Sequence, residues 1–247
     1  MSNKIVVSLL LFCGSIQAQI AVVNGASFRG DQPVSAGAWA TVYGTFTGVS
    51  TATASSIPLP KTLGGVSVTV DGVQAPLYYV GPSQINLLIP YATTSGIRPV
   101  KVTTSSATIN GSVRVIAGAP GLFMKDTQVV PKGAILNQDG ITENTSSAPA
   151  KRGDVISIYA TGTGTLTRTP ADGDAPGATP LAETKNLPQV YIGGVEAKVG
   201  FSGLNPGFPG LWQLNVTVPN QSFITGKVPV RVFMDGVDSN EVALFVQ

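Results

Sequence analysis

Four blocks of residues occur twice, in the same order, in the two halves of the chain, and this repeat constrains the fold more than any other feature. Val42-Tyr-Gly-Thr-Phe-Thr-Gly48 is answered by Ile158-Tyr-Ala-Thr-Gly-Thr-Gly164, and Val66-Ser-Val-Thr-Val-Asp-Gly-Val-Gln-Ala75 by Leu187-Pro-Gln-Val-Tyr-Ile-Gly-Gly-Val-Glu-Ala197. Gln84-Ile-Asn-Leu-Leu-Ile-Pro90 is answered by Gln213-Leu-Asn-Val-Thr-Val-Pro219, and Pro99-Val-Lys-Val102 by Pro229-Val-Arg-Val232. Two copies are too few for a solenoid, so the chain reads as a duplicated folding unit.

The blocks have the period of strands. Val66, Val68 and Val70 alternate with Ser67, Thr69 and Asp71, the pattern of a half-buried strand. Ile85, Leu87 and Ile89 alternate likewise, as do Leu214, Val216 and Val218. Asp71-Gly72 and Gly193-Gly194 supply the positive-φ pairs of tight hairpins, and Asp235-Gly236 turns the chain towards a last strand at 241–247. Pro90 and Pro219 end strands because proline has no ladder donor. Pro99 and Pro229 are expected at strand entry. No segment has a capped helical period. The expected fold is all-β: two tandem immunoglobulin-like antiparallel β-sandwiches, each of roughly seven short strands. The boundaries are a signal peptide over 1–18, a first sandwich over 19–117, a bridging segment with a short hairpin over 118–150, and a second sandwich over 151–247.

Lys4, the apolar run Ile5–Phe12 and Ala18 form the n-region, h-region and cleavage site of an export signal. The run is too short to span a bilayer, so no stable membrane span is expected after cleavage. Phe12 stands where a lipid-modified Cys13 would need a small residue. The expected location is secreted, or cell-surface or periplasmic.

The repeated blocks resemble the IPT/TIG group of immunoglobulin-like domains. Pro82-Ser-Gln-Ile-Asn-Leu-Leu-Ile-Pro90 carries one of that group's strands, and Gly44 to Gly48 the glycine-rich opening strand. The pairing of the copies is closer still to the Solibacter-type uncharacterised C-terminal domain family. Val23-Asn-Gly-Ala-Ser-Phe28, Pro58-Leu-Pro-Lys-Thr-Leu-Gly-Gly-Val-Ser-Val68, Ala134-Ile-Leu-Asn-Gln-Asp-Gly140, Ile156-Ser-Ile-Tyr-Ala-Thr-Gly162 and Gly203-Leu-Asn-Pro-Gly-Phe208 carry the likeness. It covers nearly all of the chain after the signal. It implies the sandwich fold and no assigned activity.

Catalytic chemistry has little to work with. The chain has no histidine and a single cysteine, Cys13, inside the expected signal. That removes the commonest general base and the usual nucleophile pairs, and thiolate metal sites. Asp172 and Asp174 lie in the Pro/Gly-rich stretch Pro170–Gly177, which reads as a solvated turn, with weak calcium binding as the alternative. Asn137-Gln-Asp-Gly140 with Glu143 reads as a hairpin turn, with too few carboxylates for an EF-type calcium loop. No catalytic residue, no metal site and no cofactor is expected. The net charge of +2 is scattered, so no basic stripe suits nucleic acid.

Aromatic residues are the remaining lead. The loop from Phe201 to Trp212 carries Phe208 and Trp212, and the equivalent stretch of the first copy carries Tyr78 and Tyr79. Aromatics on sandwich loops offer large contact area at low rotamer cost, for a protein partner or a sugar ring. Two readings stay open: Trp212 and Tyr79 enter the two cores, or at least one loop binds. The expected function is a non-catalytic exported module for adhesion, surface assembly or protein contact. The alternative is a carbohydrate-binding accessory protein using Tyr78, Tyr79, Phe208 and Trp212, with an unknown protein or a surface polysaccharide as partner.

Overall fold

The computed structural model describes residues 20–247, so the expected signal peptide and Cys13 lie outside the described residues. Those described form strands and turns, with no helix among them. None is therefore a helix long and apolar enough to cross a membrane.

In the first sandwich, one sheet runs Ala21–Asn24, Trp39–Tyr43, Gln84–Leu88, Leu77–Val80, Ala52–Thr53. The facing sheet runs Val34–Ser35, Thr108–Ile116, Gly96–Thr103, Val66–Val70, Thr62–Leu63. The second sandwich repeats the plan. Gly121–Leu122, Val155–Thr161, Trp212–Thr217 and Val199–Leu204 make one sheet. Gln189–Ile192, Gly226–Met234 and Val242–Val246 form the body of the other. The leading segment of the first sandwich switches sheets, as in immunoglobulin domains: Ala21–Asn24 pairs antiparallel with Trp39–Tyr43, and Val34–Ser35 pairs parallel with Val115 and Ile116. The expected antiparallel pattern thus gains one parallel pair.

The alternation read in sequence sets the cores. Val66, Val68 and Val70 are fully buried, as are Ile85, Leu87, Leu214 and Val216. Asp71 and Gly72 have φ of 52° and 79°, and Gly193 and Gly194 of 58° and 82°, so both expected hairpin turns are left-handed pairs.

Two expectations are corrected. Pro99 and Pro229 lie inside the strands Gly96–Thr103 and Gly226–Met234 rather than at their start. The neighbouring strands end at Val70, opposite Val100, and at Ile192, opposite Val230. Each proline therefore faces a turn, where its carbonyl accepts the N–H of Asp71 (2.9 Å) or Gly193 (2.8 Å) and a donor is not needed.

The expected bridge over 118–150 is built into the second sandwich. Gly121–Leu122 and Ile135–Leu136 both pair with Val155–Thr161, and Leu122 and Ile135 enter the core. Buried asparagines hold it there. The Asn240 amide accepts the Leu122 N–H (2.7 Å) and donates to the Leu122 carbonyl (3.0 Å). Asn144 bonds the backbone N–H and carbonyl of Phe245 in the same two-handed way.

A β-bulge is duplicated as well. Leu77 and Tyr79 oppose Leu87 and Asn86, so Tyr78 is the extra residue. In the second copy Val199 and Phe201 oppose Val216 and Asn215, and Gly200 is the extra residue. A bulge re-aims the side chain it inserts.

Candidate binding cleft between the sandwiches

Outward positions of Trp39–Tyr43 are Trp39, Thr41 and Tyr43, since Ala40 and Val42 belong to the core of the first sandwich. In the whole chain Trp39 is 6% exposed, packed with Leu59, Leu88 and Phe123. Its indole N–H donates to the Pro209 carbonyl (3.0 Å), and its backbone N–H to the Thr161 hydroxyl (2.8 Å). Strand Val155–Thr161 therefore ends against the start of Trp39–Tyr43.

Other contacts lock this joint. Asn24 donates to the Ala119 carbonyl (3.1 Å). The loop Pro170–Gly177, expected as a solvated turn, instead docks on the first sandwich. The Asp172 carboxylate accepts the Tyr91 N–H (2.8 Å), and the Gly173 carbonyl accepts the Leu59 N–H (2.9 Å). Gly173 has φ of 87°, and an added Cβ would lie 3.0 Å from the Leu59 carbonyl oxygen, so glycine suits this approach.

Around Trp39 an aromatic cluster opens to solvent. Tyr78 meets it edge-on at 5.6 Å between ring centroids, Phe208 lies at 6.0 Å, and Tyr78 and Phe208 are 6.2 Å apart. Such spacings are those of attractive aromatic pairs. Tyr78 and Phe208 are each 36% exposed. With Gly25, Ala40, Thr41, Asn86 and Phe123 they line a cleft of about 180 Å³.

The four expected site residues thus separate. Tyr78 and Phe208, from different sandwiches, come together. Tyr79 is half-buried and lies on the outer sheet face, opposite Asn86. Trp212 is corrected: it is fully buried in the second core, where its indole N–H donates to the Ser202 hydroxyl (3.0 Å). As the first residue of strand Trp212–Thr217, with Leu214 and Val216 also inward, it shares the core parity. Trp39, Asn86 and Phe123 were missed. The available signal was parity, because a tryptophan alternating out of phase with Ala40 and Val42 marks a face that something covers.

The acidic stretches hold no cation cage. Asp139 accepts the N–H groups of Ile141 (3.0 Å) and Thr142 (2.8 Å) and the Thr142 hydroxyl. The hydroxyl and then those amides hold its carboxyl below the usual carboxylate range. Glu143 pairs with Lys125 at 3.3 Å. Among the described residues no three His, Cys, Asp or Glu side chains gather to hold a metal.

A second hollow of about 380 Å³, beside Tyr91, Thr93, Ala117 and Leu166, also lies between the sandwiches. The Tyr91 hydroxyl is buried there without a partner among the described residues. Burial, followed by the charge of Asp172, raises its pKa, so it stays neutral. A buried hydroxyl lacking a partner costs about 1–3 kcal/mol. Tyr91→Phe is therefore expected to melt at or above the wild-type temperature. A clearly lower melting point would show that the hydroxyl is engaged.

No protein-family model matches the chain, and no curated protein does. Among solved structures, SGBP-B of the Bacteroides ovatus mixed-linkage glucan utilization locus, in complex with a mixed-linkage heptasaccharide, is 12% identical with a TM-score of 0.34, over 87% of this chain and 42% of that one. The plexin A4 extracellular region, domains 1 to 10, is 13% identical with a TM-score of 0.27, over 94% of this chain and 16% of that one. Domains 5–6 of the S-layer protein SbsC are 16% identical with a TM-score of 0.24, over 92% and 95%. The chain therefore spans less than half the length of the first two. Likeness at this level carries no argument about ligands, and the immunoglobulin-like assignment rests on the sheet order.

Proposed function

We propose that the chain is an exported, non-catalytic binding module serving adhesion, surface assembly or protein contact, with the inter-sandwich cleft as its binding surface. The observation that carries it is the exposed pair Tyr78 and Phe208, supplied by different sandwiches and held over a buried Trp39. Large aromatic area kept open on a rigid joint suits a contact surface. The lack of histidine supports a role without general-base chemistry. The signal-like residues 1–18 support export, and the repeated blocks support a place in the Solibacter-type family.

A second reading, a carbohydrate-binding accessory protein, is favoured by Thr41 and Asn86 in the cleft lining. An aromatic face packs on the C–H face of a sugar ring while a neighbouring amide meets its hydroxyls. Probing the purified protein and its Tyr78→Ala/Phe208→Ala variant on a glycan array, and on extracts of the source cell's surface, tests both. The expected result is a ligand bound by the wild type and at least tenfold more weakly by the variant, at nearly unchanged melting temperature. Equal binding by both proteins would remove the cleft from the reading.

A further inference from the structure

The outer face of each sandwich carries the same composite of side chains. In the first, Tyr43 pairs with Gln84, Thr41 with Asn86, and Asn86 with Tyr79. In the second, Tyr159 pairs with Gln213, Ser157 with Asn215, and Asn215 with Phe201. The side-chain bonding is repeated too. Asn86 Oδ1 accepts from Gln84 Nε2 (2.8 Å) and Thr41 Oγ1 (3.3 Å). Asn215 Oδ1 accepts from Gln213 Nε2 (2.8 Å) and Ser157 Oγ (3.1 Å). Each asparagine oxygen is thus engaged twice, while its NH₂ makes no side-chain or backbone bond among the described residues. Asn86, Gln84, Asn215 and Gln213 are all partly open to solvent.

We infer that these two ladders are equivalent contact sites for one neutral, hydroxyl-rich linear polymer, a polysaccharide chain that runs from the aromatic cleft, where Thr41 and Asn86 of the first ladder lie, on to the second sandwich. The inference rests on the carbohydrate reading of that cleft and extends it to the second sandwich. Three features support it. Each ladder offers amide donors between aromatic rings, Tyr43 and Tyr79 in one and Tyr159 and Phe201 in the other, which suits a ring with apolar faces and hydroxyl edges. None of the residues paired with ladder positions in these strands is charged; the nearest charges beside the second ladder, Glu143 opposite Leu136 and Glu183 opposite Gly203, are carboxylates one strand further out and would repel a polyanion. The ladders also lie on strands that meet end to end, because the Trp39 N–H donates to the Thr161 hydroxyl where Trp39–Tyr43 starts and Val155–Thr161 ends. At about 3.3 Å per strand residue, Thr41 and Ser157 are no more than about 25 Å apart, within reach of one extended chain. Two sites on one polymer gain avidity that neither has alone.

Asn→Asp is the informative substitution. A carboxylate still accepts the two bonds that hold the ladder, so the fold is kept, but the free NH₂ donors are gone. The variants Asn86→Asp and Asn215→Asp are compared with the wild type by retardation in native gels cast with a soluble neutral β-glucan or a polyuronate, and by titration with short glucan oligosaccharides. We expect the neutral polymer to retard the wild type and the polyuronate not to. Each single variant should bind short oligosaccharides at one site instead of two, and the polymer at least tenfold more weakly. Retention of wild-type glucan binding by Asn215→Asp overturns the ladder inference, whatever Asn86→Asp does, and leaves the cleft reading intact if Tyr78→Ala/Phe208→Ala still weakens it. Retardation by polyuronate alone, or by neither polymer, also overturns it; a protein ligand weakened by the cleft variant would then stand as the proposed function without the ladders.

Discussion

Trp212→Ala is expected to cost about 3–5 kcal/mol of stability, the range for emptying a large buried aromatic site. The side chain is fully buried in the second core, on the face shared by Leu214 and Val216. Its loss also takes a donor from the Ser202 hydroxyl, which keeps its bond from Thr184 (2.8 Å). The measurement is urea unfolding of the second sandwich's signal at constant m-value. Trp212→Phe keeps much of the ring volume and should cost clearly less. Phe208→Ala, four residues away but 36% exposed, should change stability by under about 1 kcal/mol, since surface substitutions rarely do more. A Trp212→Ala protein as stable as wild type would show that the residue is not in the core.

Trp39→Ala should act on the joint instead. Trp39 is a first-sandwich side chain that meets the second sandwich at Phe123 and Pro209, as Tyr91 does at Leu166, Ala182 and Leu204. Removing Trp39 should cost about 3–5 kcal/mol, drawn mainly from the coupling between sandwiches rather than from either core. The wild type is expected to unfold in one transition and Trp39→Ala in two, with a larger radius of gyration in solution scattering. One transition with an unchanged radius would mean that the Asn24, Asp172 and Gly173 contacts suffice to hold the joint.

The strands were legible because their cause is local. Val66, Val68 and Val70 alternate with polar residues, and period-2 alternation needs one buried and one open face. Asp71-Gly72 and Gly193-Gly194 marked their turns because few other residues tolerate successive positive φ. The site was only half legible. Phe208 and Tyr78 stood out as aromatics in loop-like stretches, but so did Trp212, and type alone could not separate the buried ring from the exposed ones. Parity within Trp212–Thr217 does separate them. Pro170–Gly177 read as a free turn because its composition is that of one; its docking on Leu59 and Tyr91 depends on residues 80 to 115 positions away.

Trp39 and Val155 mark the limit most clearly. They occupy the same position in the two copies, at the outward start of the second sandwich's Val155–Thr161 and of its counterpart Trp39–Tyr43. Trp39 is 6% exposed and Val155 43%. The sequence by itself determined the duplication, the strands, the turns and the inward faces, since each follows from neighbours within a few residues. Only the tertiary structure decided which outward residues are covered. That depends on where the second sandwich docks, and the docking is set by side chains far apart in the chain meeting across one joint.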